Sequence, residues 1–211
     1  MPELSFDVLD AHPDVYGTDP TILFKMRIAE TSGDPIHTMM VRVQIQIDAQ
    51  LRRYDDGERA RLVEMFGEPE RWGETLRPFN WTHASTMLQG FRGSTEIELA
   101  VPCTYDFEIA AAKYMHGLRG GDIPLSFLFS GTVISRGATG YAVTNIPWHK
   151  ECTFPLPYAT WRKTVDLYWP GGGWMRVRAD TLDSLQAYKT EVGLNDWDAV
   201  VGSLLERANN E

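Results

Sequence analysis

The chain has 211 residues, a formal charge of −9 and 43% hydrophobic residues, with charged residues at 23%. That apolar share is enough to bury a core and argues against disorder, and no run approaches the ~20 apolar residues of a membrane-spanning helix. The acidic balance suits nucleic acid poorly, because a basic stripe would be expected there. The opening Met1-Pro2-Glu3-Leu4-Ser5 lacks the basic and apolar regions of a signal peptide, so the expectation is a cytoplasmic protein.

In chain order, residues 4–9 and 22–28 read as strands. Ser32-Gly33-Asp34-Pro35 then supplies turn chemistry. The clearest signal follows. Val41, Val43, Ile45, Ile47, Ala49 and Leu51 alternate with Arg42, Gln44, Gln46, Asp48 and Gln50. Period two over this length predicts a half-buried strand with one wet face, a pattern typical of antiparallel sheets. Residues 56–66 predict a helix, with Asp55 or Asp56 as cap and Gly67 as stop. The stretch 67–93 reads as a long loop whose aromatics, Trp72, Trp81 and Phe91 among them, pack it onto the core.

A second alternating strand runs over 95–109, with Ile97, Leu99, Val101, Cys103, Tyr105, Phe107 and Ile109 on its inner face. Pro102 falls on the outer phase and marks an edge, a bulge or a break, since it cannot donate to a ladder. Residues 110–118 predict a short helix. Residues 125–134 and 142–156 predict strands, the latter interrupted by Pro147 and carrying Ile146, Trp148, Cys152, Phe154 and Leu156 in one phase. Arg136-Gly137-Ala138-Thr139-Gly140 reads as a hairpin turn. At the C-terminus, Asp180 or Thr181 caps a helix carrying Leu182, Leu185, Tyr188 and Val192, and Gly193 ends it. Asn195 caps a second helix with Trp197, Val200, Val201, Leu204 and Leu205, so the pair forms a helical hairpin.

These elements predict a mainly β protein: an antiparallel β-sandwich, of which the immunoglobulin-like form is one variant. A sandwich domain at 1–170 would carry an inserted helix near 56–66, and 171–211 would be the helical-hairpin appendage. The alternative is an α+β fold with one antiparallel sheet and helices on one face.

Candidate chemistry is sparse. Ser130 lies in Phe129-Ser130-Gly131-Thr132 with no nucleophile elbow around it. Cys103 and Cys152 fall on inward phases and read as inert small hydrophobes. His149 and Cys152 are three apart, which on a strand sends them to opposite faces. No Cys/His pair has zinc spacing, and no metal or cofactor is expected. Glu96, Glu98, Asp106 and Glu108 share one wet strand face, where crowded charge serves solubility and steering. Gly171-Gly172-Gly173 lacks the Lys-Ser/Thr of a phosphate-binding loop. Aromatic anchors fare better, since tryptophan is enriched at interface hot spots. Trp72, Trp148, Trp161, Trp169 and Trp174 sit near Pro, Gly or charged residues and are the candidate partner-binding residues.

The run from Val101-Pro102-Cys103-Thr104-Tyr105-Asp106-Phe107 through Tyr114, followed by Pro124-Leu125-Ser126-Phe127 through Val133, carries a resemblance. So do the segment from Phe66-Gly67 to Trp72, Ile146-Pro147-Trp148 and the Trp197-Asp198 helix. Together they resemble an actinobacterial family of unknown function found among accessory genes of high-affinity uptake nickel-iron hydrogenases. The resemblance covers nearly the whole chain and transfers no catalytic residue. It implies a non-enzymatic accessory protein that binds another protein, a hydrogenase subunit or maturation factor, during assembly. No nucleic acid or membrane partner is expected, and self-association stays open. The rival reading is a carbohydrate-binding or small hydrolase sandwich.

Overall fold

Alternation along the strands builds the core. The computed structural model describes residues 2–103, 109–137, 140–171 and 176–210. Strands β1 (Leu4–Pro13), β2 (Thr21–Glu30) and β5 (Ser94–Pro102) form a three-stranded antiparallel sheet in the order β1-β2-β5. The second sheet holds β3 (Ile36–Ile47), β4 (Phe79–Phe91), β6 (Asp122–Gly137), β7 (Gly140–Asn145) and β8 (Glu151–Pro157), ordered β4-β3-β6-β7. Strand β6 is 16 residues long, so its first half pairs with β8 and its second half with β7 on the same flank. The two orders correspond to A-B-E facing C′-C-F-G in an immunoglobulin-like sandwich. Two sheets face each other, which sets aside the single-sheet alternative.

The facing side chains lock the sheets together. Phe6 of β1 stacks on Phe129 of β6 at 4.2 Å, and Phe24 of β2 meets Phe127 of β6 edge-on at 5.2 Å. Val41, Val43, Ile45, Ile47 and Ala49 are all buried, as the alternation requires. Leu51 departs from the expectation and is exposed. The strand ends at Ile47, and a 3-10 turn over Ala49–Leu51 changes the period. Asp48, expected on the wet face, is buried there and accepts a 2.6 Å hydrogen bond from Ser126 Oγ.

Helices fill the ends. Helix α1 (Asp56–Phe66) starts at a capping box. Asp55 accepts from Glu58 N, Glu58 reaches back to Asp55 N, and Gly67 at φ 75° stops the helix. It packs on α3 (Ala110–Gly117), where Gly117 leaves room for Leu62: a Cβ there would lie 2.5 Å from Leu62 Cδ2. Between them in sequence come the 3-10 turn Pro69–Arg71 and the short α2 (Trp72–Thr75). Helix α4 (Tyr158–Tyr168) buries Trp161 and Val165 in the core. Its Tyr168 hydroxyl donates to Gly17 O at 2.9 Å, tying down the β1–β2 connection.

Several expectations need correction. The stretch 67–93 holds β4, a 13-residue strand. Residues 142–156 split into β7 and β8 around a turn at Pro147. Strand β5 ends at Pro102, Ile109 is exposed, and Thr104, Tyr105, Asp106, Phe107 and Glu108 lie outside the described residues, as do Ala138 and Thr139 of the hairpin turn.

The chain divides into two compact units, Met1–Gly173 and Trp174–Glu211. The second holds α5 (Ala179–Val192) and α6 (Trp197–Asn210). Gly193 in the left-handed region at φ 73° ends α5 as a C-terminal glycine should. The caps differ from expectation: Arg178 precedes α5, and Asp196 Oδ1 accepts from Ala199 N at 2.7 Å at the start of α6. The helices clasp through Tyr188 Oη and Ser203 Oγ at 2.8 Å, and through Lys189 over the Trp197 ring at 5.0 Å.

Candidate functional site

The five candidate tryptophans separate by burial. Trp161 is 1% exposed and Trp72 is 7% exposed. Trp72 joins Tyr54 and Phe66 in an edge-on ring cluster, and its Nε1 donates to Gly67 O at 2.8 Å. Both therefore stabilise the interior and do not anchor a partner from outside. Trp169 packs half-buried against the core. Trp174 lies outside the described residues. Trp148 is 89% exposed. The sequence phase places it inward with Ile146, but Lys150 N closes a turn onto Pro147 O at 3.1 Å, and the turn carries Trp148 into solvent. Among the described residues, no row of exposed tryptophans forms the glycan platform that the rival reading needs.

The turn adjoins an open sheet edge. Strand β7 pairs with β6 alone among the described residues. The other flanks are closed: β8 lies against β1, and β4 lies against β5. Every residue of β7 except Thr144 is exposed. An edge strand presents unpaired backbone donors and acceptors, a ready template for another strand.

Cross-strand register extends this edge into an apolar patch on the outer face of the second sheet. Val143 lies opposite Ile134, which lies opposite Thr38. The next row runs Met87, Met40, Thr132, Asn145. Tyr141 meets the His37 ring at 4.7 Å. Met40, Met87, Tyr141 and Val143 are all exposed. Exposed methionines and an aromatic clustered on one face resemble the adaptable surfaces that bind proteins. None of these four residues stood among the candidates the sequence offered. The methionines sit on strands of which one, β4, was hidden.

Charge elsewhere is largely paired. Glu96 accepts from Lys25 Nζ at 2.9 Å and Arg27 Nη2 at 2.9 Å, and these donors hold its carboxyl below the ordinary range. Glu98 lies 3.5 Å from His12. The wet carboxylate face of β5 is thus matched by outward cations of β2, which weakens the expectation of acidic steering from it. Asp106 and Glu108 lie outside the described residues. Ser130 is exposed, and lies opposite Arg42.

Cys103 and Cys152 are free. Burial pushes the Cys103 thiol up to about 12 and the Cys152 thiol up to about 11, so neither carries thiolate at neutral pH. Among the described residues, no three His, Cys, Asp or Glu side chains gather where a metal ion could be held.

A family model described as "Family of unknown function (DUF6084)" matches residues 1–211. No curated protein matches the sequence. Among solved structures, the chain is similar to a β-glucosidase from Kluyveromyces marxianus at 11% identity and a TM-score of 0.24, over 73% of this chain and 15% of that one. It is also similar to β-glucosidase 3B from Thermotoga neapolitana at 12% identity and a TM-score of 0.27, over 73% of this chain and 17% of that one. The chain spans less than a fifth of either enzyme, and likenesses this slight carry no argument.

Proposed function

The chain belongs to DUF6084, a family of unknown function, and on that premise we propose that it is a non-enzymatic accessory protein that binds an extended segment of another protein along the free edge of β7. One observation carries the reading: among the described residues β7 pairs on one side only, and its free edge is flanked by an exposed apolar patch of Met40, Met87, Tyr141 and Val143. A strand added there would gain main-chain hydrogen bonds from the edge, and side chains seated on the patch would set its identity. Trp148, in the turn that follows β7, offers an aromatic anchor beside it. The partner we assign is a nickel-iron hydrogenase subunit or maturation factor in the cytoplasm. The stretch 101–133 and the Ile146-Pro147-Trp148 segment support that setting through their resemblance to hydrogenase-associated actinobacterial proteins.

The test is affinity capture with the full chain from hydrogen-oxidising actinobacterial cells, comparing wild type with Val143→Lys. Val143 is 67% exposed, so the substitution leaves the core untouched while placing a charge on the edge. A hydrogenase subunit or maturation factor recovered by wild type, and reduced about tenfold or more with Val143→Lys, is the expected result. Recovery of no such protein would sink the partner assignment. Equal recovery by both forms would sink the edge site.

A further inference from the structure

Away from β7, in the region of α1 and α2, a cavity of about 780 Å³ opens beside the turn Ala49–Leu51. Its wall carries Arg52, Arg53, Arg59 and Arg77 together with Tyr54 and Trp72. Four arginines line one hollow, a local excess of cations in a chain whose net charge is −9. Only two of them meet a carboxylate among the described residues: Arg52 pairs with Glu58 at 2.7 Å, and Arg59 lies 3.6 Å from Asp56. Among the described residues Arg53 has no such partner, and Arg77 Nη1 donates to the neighbouring Leu76 O at 3.1 Å. The cluster therefore holds surplus positive charge.

The wall is also prebuilt. Arg52 is held by Glu58, by Gly120 O at 2.5 Å and by Asp122 O at 2.6 Å, and lies 5.7 Å from the centre of the Tyr54 ring. Its Nε is buried with no hydrogen-bond partner among the described residues. Tyr54 is fixed in turn through its hydroxyl, 2.7 Å from Ala49 O and 2.8 Å from the Tyr114 hydroxyl. A fixed aromatic beside several arginines is the pattern of a small-ligand pocket with a few convergent polar groups. Guanidinium forks match the oxygens of phosphate bidentately. A single carboxylate would leave part of the surplus charge unmet, whereas a phosphoryl or pyrophosphoryl group would neutralise it.

We propose that the cavity walled by Arg52, Arg53, Arg59 and Arg77 binds the phosphate moiety of a small phosphorylated molecule. Isothermal titration of the full chain with inorganic pyrophosphate in low salt tests this. A dissociation constant below about 1 mM is expected, weakened about tenfold or more when Arg53→Gln and Arg77→Gln are combined. Both side chains are exposed and, among the described residues, unpaired with acids, so the double variant should melt at the wild-type temperature; if it does not, Arg53→Gln alone must still weaken binding. Citrate, a polyvalent carboxylate, should bind about tenfold more weakly. No binding of pyrophosphate overturns the proposal. So does unchanged affinity in the folded variants, the mark of an adventitious ion only, and so does citrate binding as tightly as pyrophosphate.

Discussion

Gly131 shows how one residue can hold a sheet in register. It sits mid-strand in β6 with φ 140°, opposite Val41 of β3, and a Cβ built there would lie 2.0 Å from Met40 O. Its carbonyl also accepts from Ile146 N at 3.0 Å, fixing the turn after β7. Neither the backbone angle nor the space admits a side chain. Gly131→Ala should therefore cost about 3 kcal/mol or more in urea unfolding, while Gly120→Ala, with nothing within 4 Å of its Cβ, should be nearly neutral. Equal midpoints for the two variants would contradict this. Glu30 is a second such residue. Burial alone would raise its pKa, but donors from Ser32, Glu3 and Gly33 outweigh that and lower it from the ordinary 4.5. A lowered folded pKa means stabilisation that is fully present above about pH 4.5 and is lost as pH falls through the folded value. Between about pH 6 and pH 3 the wild type should lose more urea resistance than Glu30→Gln. Parallel losses would show that the carboxylate contributes no pH-linked stability.

At the scale of elements, legibility followed unbroken periodicity. Strand β3 was readable because Val41 to Ala49 alternate without interruption and all point inward. Helix α1 was readable because Asp55, Glu58 and Gly67 mark both ends chemically. Strand β4 was not. A bulge inserts Trp81 between Asn80 and Thr82 in its pairing with β3, so Phe79 and Leu88 fall out of phase, and the partly inward positions are the small or polar Thr82, Ala84 and Thr86. A period-two search fails on such a segment, since one extra residue flips every later side chain. The split of β7 from β8 was half legible: Pro147 announced a break, but the phase still assigned Trp148 inward. Only the turn geometry shows it in solvent. For the candidate site the sequence named five tryptophans by neighbourhood alone, and burial removed Trp72 and Trp161. The patch of Met40, Met87, Tyr141 and Val143 needed strand register, which joins residues from three strands, and no local pattern records that.

At the scale of the molecule, the unit Met1–Gly173 is a sandwich whose edge strands β1, β8, β4 and β5 meet across the sheets, while the edge of β7 is open among the described residues. The unit Trp174–Glu211 is a helical pair with its own clasp of Tyr188, Ser203, Lys189 and Trp197. Natural sheets usually blunt an edge with charge, proline or a covering element. Among the described residues, β7 carries none of these, which is the feature a binding edge would keep. The most direct test replaces Val143 with a photo-crosslinking phenylalanine analogue in living hydrogen-oxidising cells, with Glu98 on the opposite sheet as the comparison position. A discrete adduct at position 143, identified as a hydrogenase subunit or maturation factor and missing at position 98, is what the β7 edge predicts. Adducts at 98 alone, or none at 143, would contradict it.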